Sequence, residues 1–165
     1  MSGYLESAPD LADFLQELSR HQVAYMVVGG HAVGFHSKPR ATKDLDVWID
    51  AEVSNRKKVI VALREYGAPA AIGEALLRAS ASEIVWFGRP PNRIDILQVL
   101  PGLSFKEAHS RVVFAESGGV PIPIIALEDL IENKERVGRD QDQVDAKLLR
   151  AALAQKATRS CTGAC

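Results

Sequence analysis

The chain has 165 residues, 47% of them hydrophobic, and a formal net charge of −1. That size suits one domain with a substantial core, and the near-neutral balance excludes a broad basic field for nucleic acid, leaving only local patches. No apolar run reaches membrane-spanning length, and the N-terminal M-S-G-Y-L-E-S-A-P-D lacks the basic start and apolar core of a signal peptide, so a cytoplasmic protein without a membrane partner is expected.

Ser7 opens a Ser-x-x-Asp cap with Pro9 in the first turn. Leu11, Phe14, Leu15 and Leu18 then recur at helical spacing, and the helix ends near His21, whose charge suits a helix C-terminus. Val23 to Val28 reads as a buried strand ending at Gly29-Gly30. A helix starts at these glycines, carries His31 and His36 as lining residues, and ends before Pro39. Such a glycine turn offers free N–H groups and the positive end of a helix dipole, a ready anion site.

The following strand is acidic on one face. Asp44, Asp46 and Asp50 share that face with Trp48, while Leu45, Val47 and Ile49 point to the core. Residues i and i+2 of a strand lie roughly 6.6 Å apart, and two bare carboxylates at that distance repel by about 2.5 kcal/mol at an effective dielectric near 20. Either water solvates this face as a sheet edge, or a hard divalent cation such as Mg²⁺ offsets the repulsion.

Glu52 to Tyr66 is a second amphipathic helix, stopped by Gly67, with a basic outer face at Arg56, Lys57, Lys58 and Arg64. Gly73 to Ala79 reads as a helical turn, Glu83 to Phe87 as a strand, and Arg93 to Val99 as another. Asp95 lies between isoleucines in this last strand, so it needs a salt bridge, for instance to Arg93, or a metal. Phe105 to His109 is a short helix. Val112 to Ala115 and Val120 to Ile125 form a hairpin through Gly118-Gly119, with Pro121 and Pro123 favouring an edge position. Two helices close the chain, Leu127 to Val137 and one from Asp140 or Gln141 to Gln155. Trp48, Trp86 and Phe87 are candidates for stacking on a base, with core packing the expected role of each. Residues 1–156 read as a single domain and 157–165 as a disordered tail holding the only cysteines, Cys161 and Cys165, a weak metal signal.

A Gly-Gly turn opening a helix, thirteen intervening residues, Asp44-Leu45-Asp46 on a strand and Asp95 on a later strand together resemble the nucleotidyltransferase superfamily with the DNA polymerase β type fold. Arg40-Ala41-Thr42-Lys43-Asp44-Leu45-Asp46 looks like the Arg-x-Thr-x-Asp-x-Asp of many small members. Leu127 to Leu130, Lys134, Arg139, Asp142 and Asp145 look like the C-terminal part of small bacterial ones, including toxin–antitoxin and abortive-infection types. The resemblance covers about residues 20 to 150. Gly30 departs from it, standing where many members have serine.

The resemblance implies an α+β fold of two layers: a mixed, mostly antiparallel sheet with helices on one face and closing C-terminal helices. It implies a metal-dependent transferase that moves a nucleoside monophosphate from an NTP to a hydroxyl acceptor: a small molecule, a protein or a tRNA. Asp44, Asp46 and Asp95 would hold two Mg²⁺ ions, Mn²⁺ being an alternative, with Asp95 as general base. Gly29 and Gly30 would hold the triphosphate, with Arg40, Thr42, Lys43 and Lys134 as further phosphate contacts. A partner protein or a dimer mate is a candidate to complete the acceptor side. The competing readings are a catalytically silent nucleotide- or partner-binding module, such as a toxin–antitoxin component, and a phosphohydrolase using the same metals.

Overall fold

The computed structural model describes residues 5–162. Helices α1 (Pro9–Arg20), α3 (Val53–Tyr66) and α4 (Ala70–Arg78) cover one side of a six-stranded sheet. Its strands are β1 (Tyr25–Val28), β2 (Asp44–Ile49), β3 (Val85–Phe87), β4 (Arg93–Leu97), β5 (Val113–Ser117) and β6 (Val120–Ile124), in the order β3-β4-β2-β1-β6-β5. The β1–β2, β3–β4 and β5–β6 pairs are antiparallel, while β1–β6 and β2–β4 are parallel. The sheet is therefore mixed and mostly antiparallel, as expected. The remaining helices are α2 (Gly29–His36), α5 (Phe105–His109), α6 (Leu127–Val137) and α7 (Asp140–Thr162).

Strand register sorts the side chains into two faces. Tyr25, Val27, Leu45, Val47, Ile49, Ile94, Ile96, Val85 and Phe87 share the core face. There the Phe87 ring meets Phe14 of α1 edge-on at 5.7 Å, and Tyr25 donates its hydroxyl to Leu15 O at 3.2 Å. Met26, Val28, Asp44, Asp46, Trp48, Arg93, Asp95, Leu97 and Trp86 share the other face. Trp48 is buried there, its ring met edge-on by Phe105 at 5.2 Å. Asn55, buried in α3, accepts from Ala24 N and donates to the carbonyls of Ala24 and Asp50, which locks the start of β1 to the end of β2.

Four local expectations change. Ser7 does not cap α1: Ala8 is the N-cap, with Pro9 at the first helical position. The helical turn expected from Gly73 begins three residues earlier, directly after Pro69. The proline-bearing strand β6 is not at the edge; β5 is. Pro121 and Pro123 are tolerated because β1 pairs with β6 only at Val27↔Ile124, past both prolines. Finally, α7 runs beyond Gln155 to Thr162, so 157–162 are helical where a disordered tail was expected. Its last turns are exposed. Past Leu153, which still packs against the core, the stretch A-Q-K-A-T-R is rich in helix formers and meets no glycine before Gly163, so propensity carries the helix on without a buried face. Cys161 is exposed, and Cys165 lies outside the described residues.

Candidate active site

The site forms where β1 ends, on the face opposite α1 and α3. Gly29 adopts φ +63°, and a Cβ there would overlap the Asp46 carboxylate. Only glycine both reaches this backbone conformation readily and lets the turn lie against Asp46. Gly30 is constrained differently: a Cβ would lie 2.7 Å from the Thr42 methyl and 3.3 Å from Arg40 Nη2. The space that a serine would need at Gly30 is thus filled by the segment leading into β2.

Asp46 stands directly opposite Asp95 on the neighbouring parallel strand, and Asp44 lies two residues before Asp46 on the same face. The three carboxylates proposed from sequence therefore share one patch. Burial, and then the like charges of Asp95 and Asp44, push the Asp46 carboxyl up to about 7, against the opposing charges of Lys134 and Arg139. Asp95 is buried, and both its oxygens are engaged by one guanidinium: Arg93 Nε donates to Oδ1 at 2.7 Å and Nη2 to Oδ2 at 3.1 Å. That hydrogen bonding, reinforced by the charges of Asp95, Asp44 and Asp46, raises the Arg93 pKa further. Asp50 lies at the far end of β2, where its Oδ1 accepts the Glu52 N–H at 3.1 Å.

Among the described residues, no three His, Cys, Asp or Glu side chains form a ready-made metal cage. The donor chemistry nevertheless fits a hard divalent cation. The donors are all oxygens, Asp46 is crowded by two like charges, and ions such as Mg²⁺ commonly bind one or two carboxylates and complete their shell with water and substrate phosphates. Asp44 and Asp46 could hold such an ion directly; Asp95 could join once Arg93 lets go.

The other sequence candidates are mostly engaged within the protein. Arg40 makes a forked ion pair with Asp145 of α7. Thr42 Oγ1 lies 2.7 Å from His31 Nε2, so the histidine fixes the hydroxyl. Burial lowers the His31 pKa, with the Asp44 charge opposing. His36 is buried, its Nε2 2.7 Å from Ile125 O. Lys134 is buried between Asp142 at 2.8 Å and Asp145 at 3.0 Å, and Arg139 donates to Asp142 at 2.8 Å. For both aspartates, burial is the largest single influence and acts upward. Hydrogen bonds and neighbouring positive charges together outweigh it, leaving their pKa values lowered. Lys43 is exposed, in the bend just before Asp44.

Sequence reasoning missed three features. The Thr42–His31 pair has no periodic signal. The grouping of Arg40 and Lys134 around Asp145 joins two helices and the loop before β2, although the close spacing of Asp142 and Asp145 just after Arg139 was a usable hint. Trp86 was expected in the core, like Trp48 and Phe87, but it is 54% exposed, with Arg93 lying 4.4 Å over its ring.

No family model and no curated protein matches the sequence. A solved structure from Thermotoga maritima, described as a "putative nucleotidyltransferase", is similar in fold: TM-score 0.59 at 16% identity, covering 94% of this chain and 97% of that one. The six-stranded mixed sheet with its closing helices is thus a nucleotidyltransferase-like fold. No helix among the described residues is long and apolar enough to cross a membrane.

Proposed function

We propose that the protein is a metal-dependent nucleotidyltransferase that moves a nucleoside monophosphate from an NTP to a hydroxyl acceptor. The observation that carries this reading is the register of β2 and β4, which sets Asp46 beside Asp95 with Asp44 two residues away, under the Gly29 turn. Nucleotidyl transfer needs charge neutralisation and in-line positioning more than covalent chemistry. Bound Mg²⁺ would supply the neutralisation, held by Asp44 and Asp46 and, for a second ion, Asp95. The backbone N–H groups at the start of α2 would suit the triphosphate, with exposed Lys43 as a further candidate contact. Asp95, whose two oxygens are engaged by Arg93, would take the proton from an acceptor hydroxyl only after that pair opens. The acceptor would be a small molecule, a protein side chain or a tRNA end.

A second reading is a silent nucleotide- or partner-binding module, as in a toxin–antitoxin component. It is favoured by the engagement of Arg40, Thr42 and Lys134 with groups of the protein itself. Incubation with labelled NTPs, Mg²⁺ and acceptors of the three classes separates the two. Transfer is expected from the wild type, falling by at least about 100-fold in Asp46→Ala. Equal turnover by wild type and variant, or NTP binding without any transfer, would sink the enzymatic reading.

A further inference from the structure

Arg93 and Trp86 have no assigned part in the site, yet both flank its third carboxylate. Trp86 is the register partner of Asp95 on β3, and Arg93 is the register partner of Asp44 on β2. The guanidinium uses two donors on the two oxygens of a buried carboxylate while its carbon lies over the indole. Asp95's side chain is only 9% exposed, whereas Arg93's is 31% exposed, so the arginine has room to move and the aspartate has little. The exposed indole already holds the guanidinium through its ring quadrupole while Asp95 is paired, and that contact does not depend on the carboxylate.

We propose that Arg93 is a built-in competitor for the divalent cation: it occupies Asp95 until a metal ion claims the carboxylate, and Trp86 retains the displaced guanidinium. This rests on the nucleotidyltransferase reading for the identity of the site, but the competition itself is a property of these three side chains. A forked guanidinium–carboxylate pair is among the stronger charge-assisted contacts, and a cation binding to Asp95 must first break it. Cation affinity is thereby held down in the free protein. Displacement also leaves a positive charge beside an aromatic face at the β3 edge, next to the carboxylate proposed as base.

The test is a Mn²⁺ titration of the full chain, followed by calorimetry and by tryptophan fluorescence. Arg93→Gln is expected to bind Mn²⁺ about tenfold more tightly than wild type. Arg93→Lys, which keeps the charge but cannot fork, should fall between them. In the wild type, Mn²⁺ should change an emission component that Trp86→Phe removes. Circular dichroism checks that each variant is folded, and Arg93→Lys carries the comparison if Arg93→Gln is not. Unchanged or weaker Mn²⁺ binding in both folded arginine variants would overturn the proposal. If wild-type binding is abolished by Asp46→Asn but indifferent to Arg93, the competition fails and the metal site stands. If neither the wild type nor a folded arginine variant binds Mn²⁺, both fail.

Discussion

Asp46 on the sheet and the Asp142–Asp145 pair between α6 and α7 all feel the charge of Lys134, and their carboxyl groups shift in opposite directions. On β2 and β4, three carboxylates crowd together with Arg93 as the one directly paired cation, and Asp46 is pushed up to about 7. Between α6 and α7, Asp142 and Asp145 are more deeply buried, yet Arg40, Lys134 and Arg139 hold both below their ordinary range. Burial acts upward in both places. The number of hydrogen-bonding cations at hand decides the outcome. The compensated cluster joins elements of the scaffold; on the sheet, Arg93 is spent on Asp95 and Asp46 keeps its raised pKa.

Removing the compensation should give the largest effect. Lys134→Ala would leave Asp142 and Asp145 buried with their shared cation gone, and is expected to destabilise by about 3–5 kcal/mol in urea unfolding. A loss below about 1 kcal/mol would mean that Arg40 and Arg139 suffice and that the two clusters differ less than the contacts imply.

The reverse change belongs on the sheet. Because the folded pKa of Asp46 lies above its unfolded value, the unfolded state gives up this proton first as pH rises. Stability should therefore fall between about pH 4 and 7, then level off. Asp46→Asn removes the penalty and should stabilise the protein at pH 8 by up to about 4 kcal/mol, with little gain at pH 4. Asp142 and Asp145 have the opposite sign: their contribution is present above the unfolded value and lost as pH falls through their lowered folded values. Urea midpoints at pH 4, 6 and 8 would check this, and an Asp46→Asn gain that does not depend on pH would break the contrast.

The smallest effect concerns the glycine turn. Gly30→Ser should cost about 1 kcal/mol, because its Cβ presses on the Thr42 methyl. Thr42→Ser, which deletes that methyl, should recover most of the loss in the double variant. No recovery in thermal or urea unfolding would place the strain elsewhere.

Much of this was legible from sequence because it depends on local pattern. The alternation of β2 and β4 sorted Asp44, Asp46 and Asp95 from their apolar neighbours, and Gly29 marked the close turn. What escaped depends on long-range pairing. Nothing in the Pro121-x-Pro123 run reveals that β1 meets this strand only at Ile124. Arg40 and Lys134 read as free cations because their partners sit on α7. Trp86 looked like core because a three-residue strand gives alternation too little length to show which side is wet.

The strand order also bears on how the chain reaches its fold. β1 lies inside the sheet, but Val27 finds its partner Ile124 only after most of the chain has been made. During synthesis, α1 to β4 can assemble around β2 while one edge of β1 stands open. Because α2 grows from the end of β1 and is tied to Ile125 through His36, the glycine turn gains its last support when that edge closes. The site's geometry is thus completed late, by a strand that contributes none of its carboxylates.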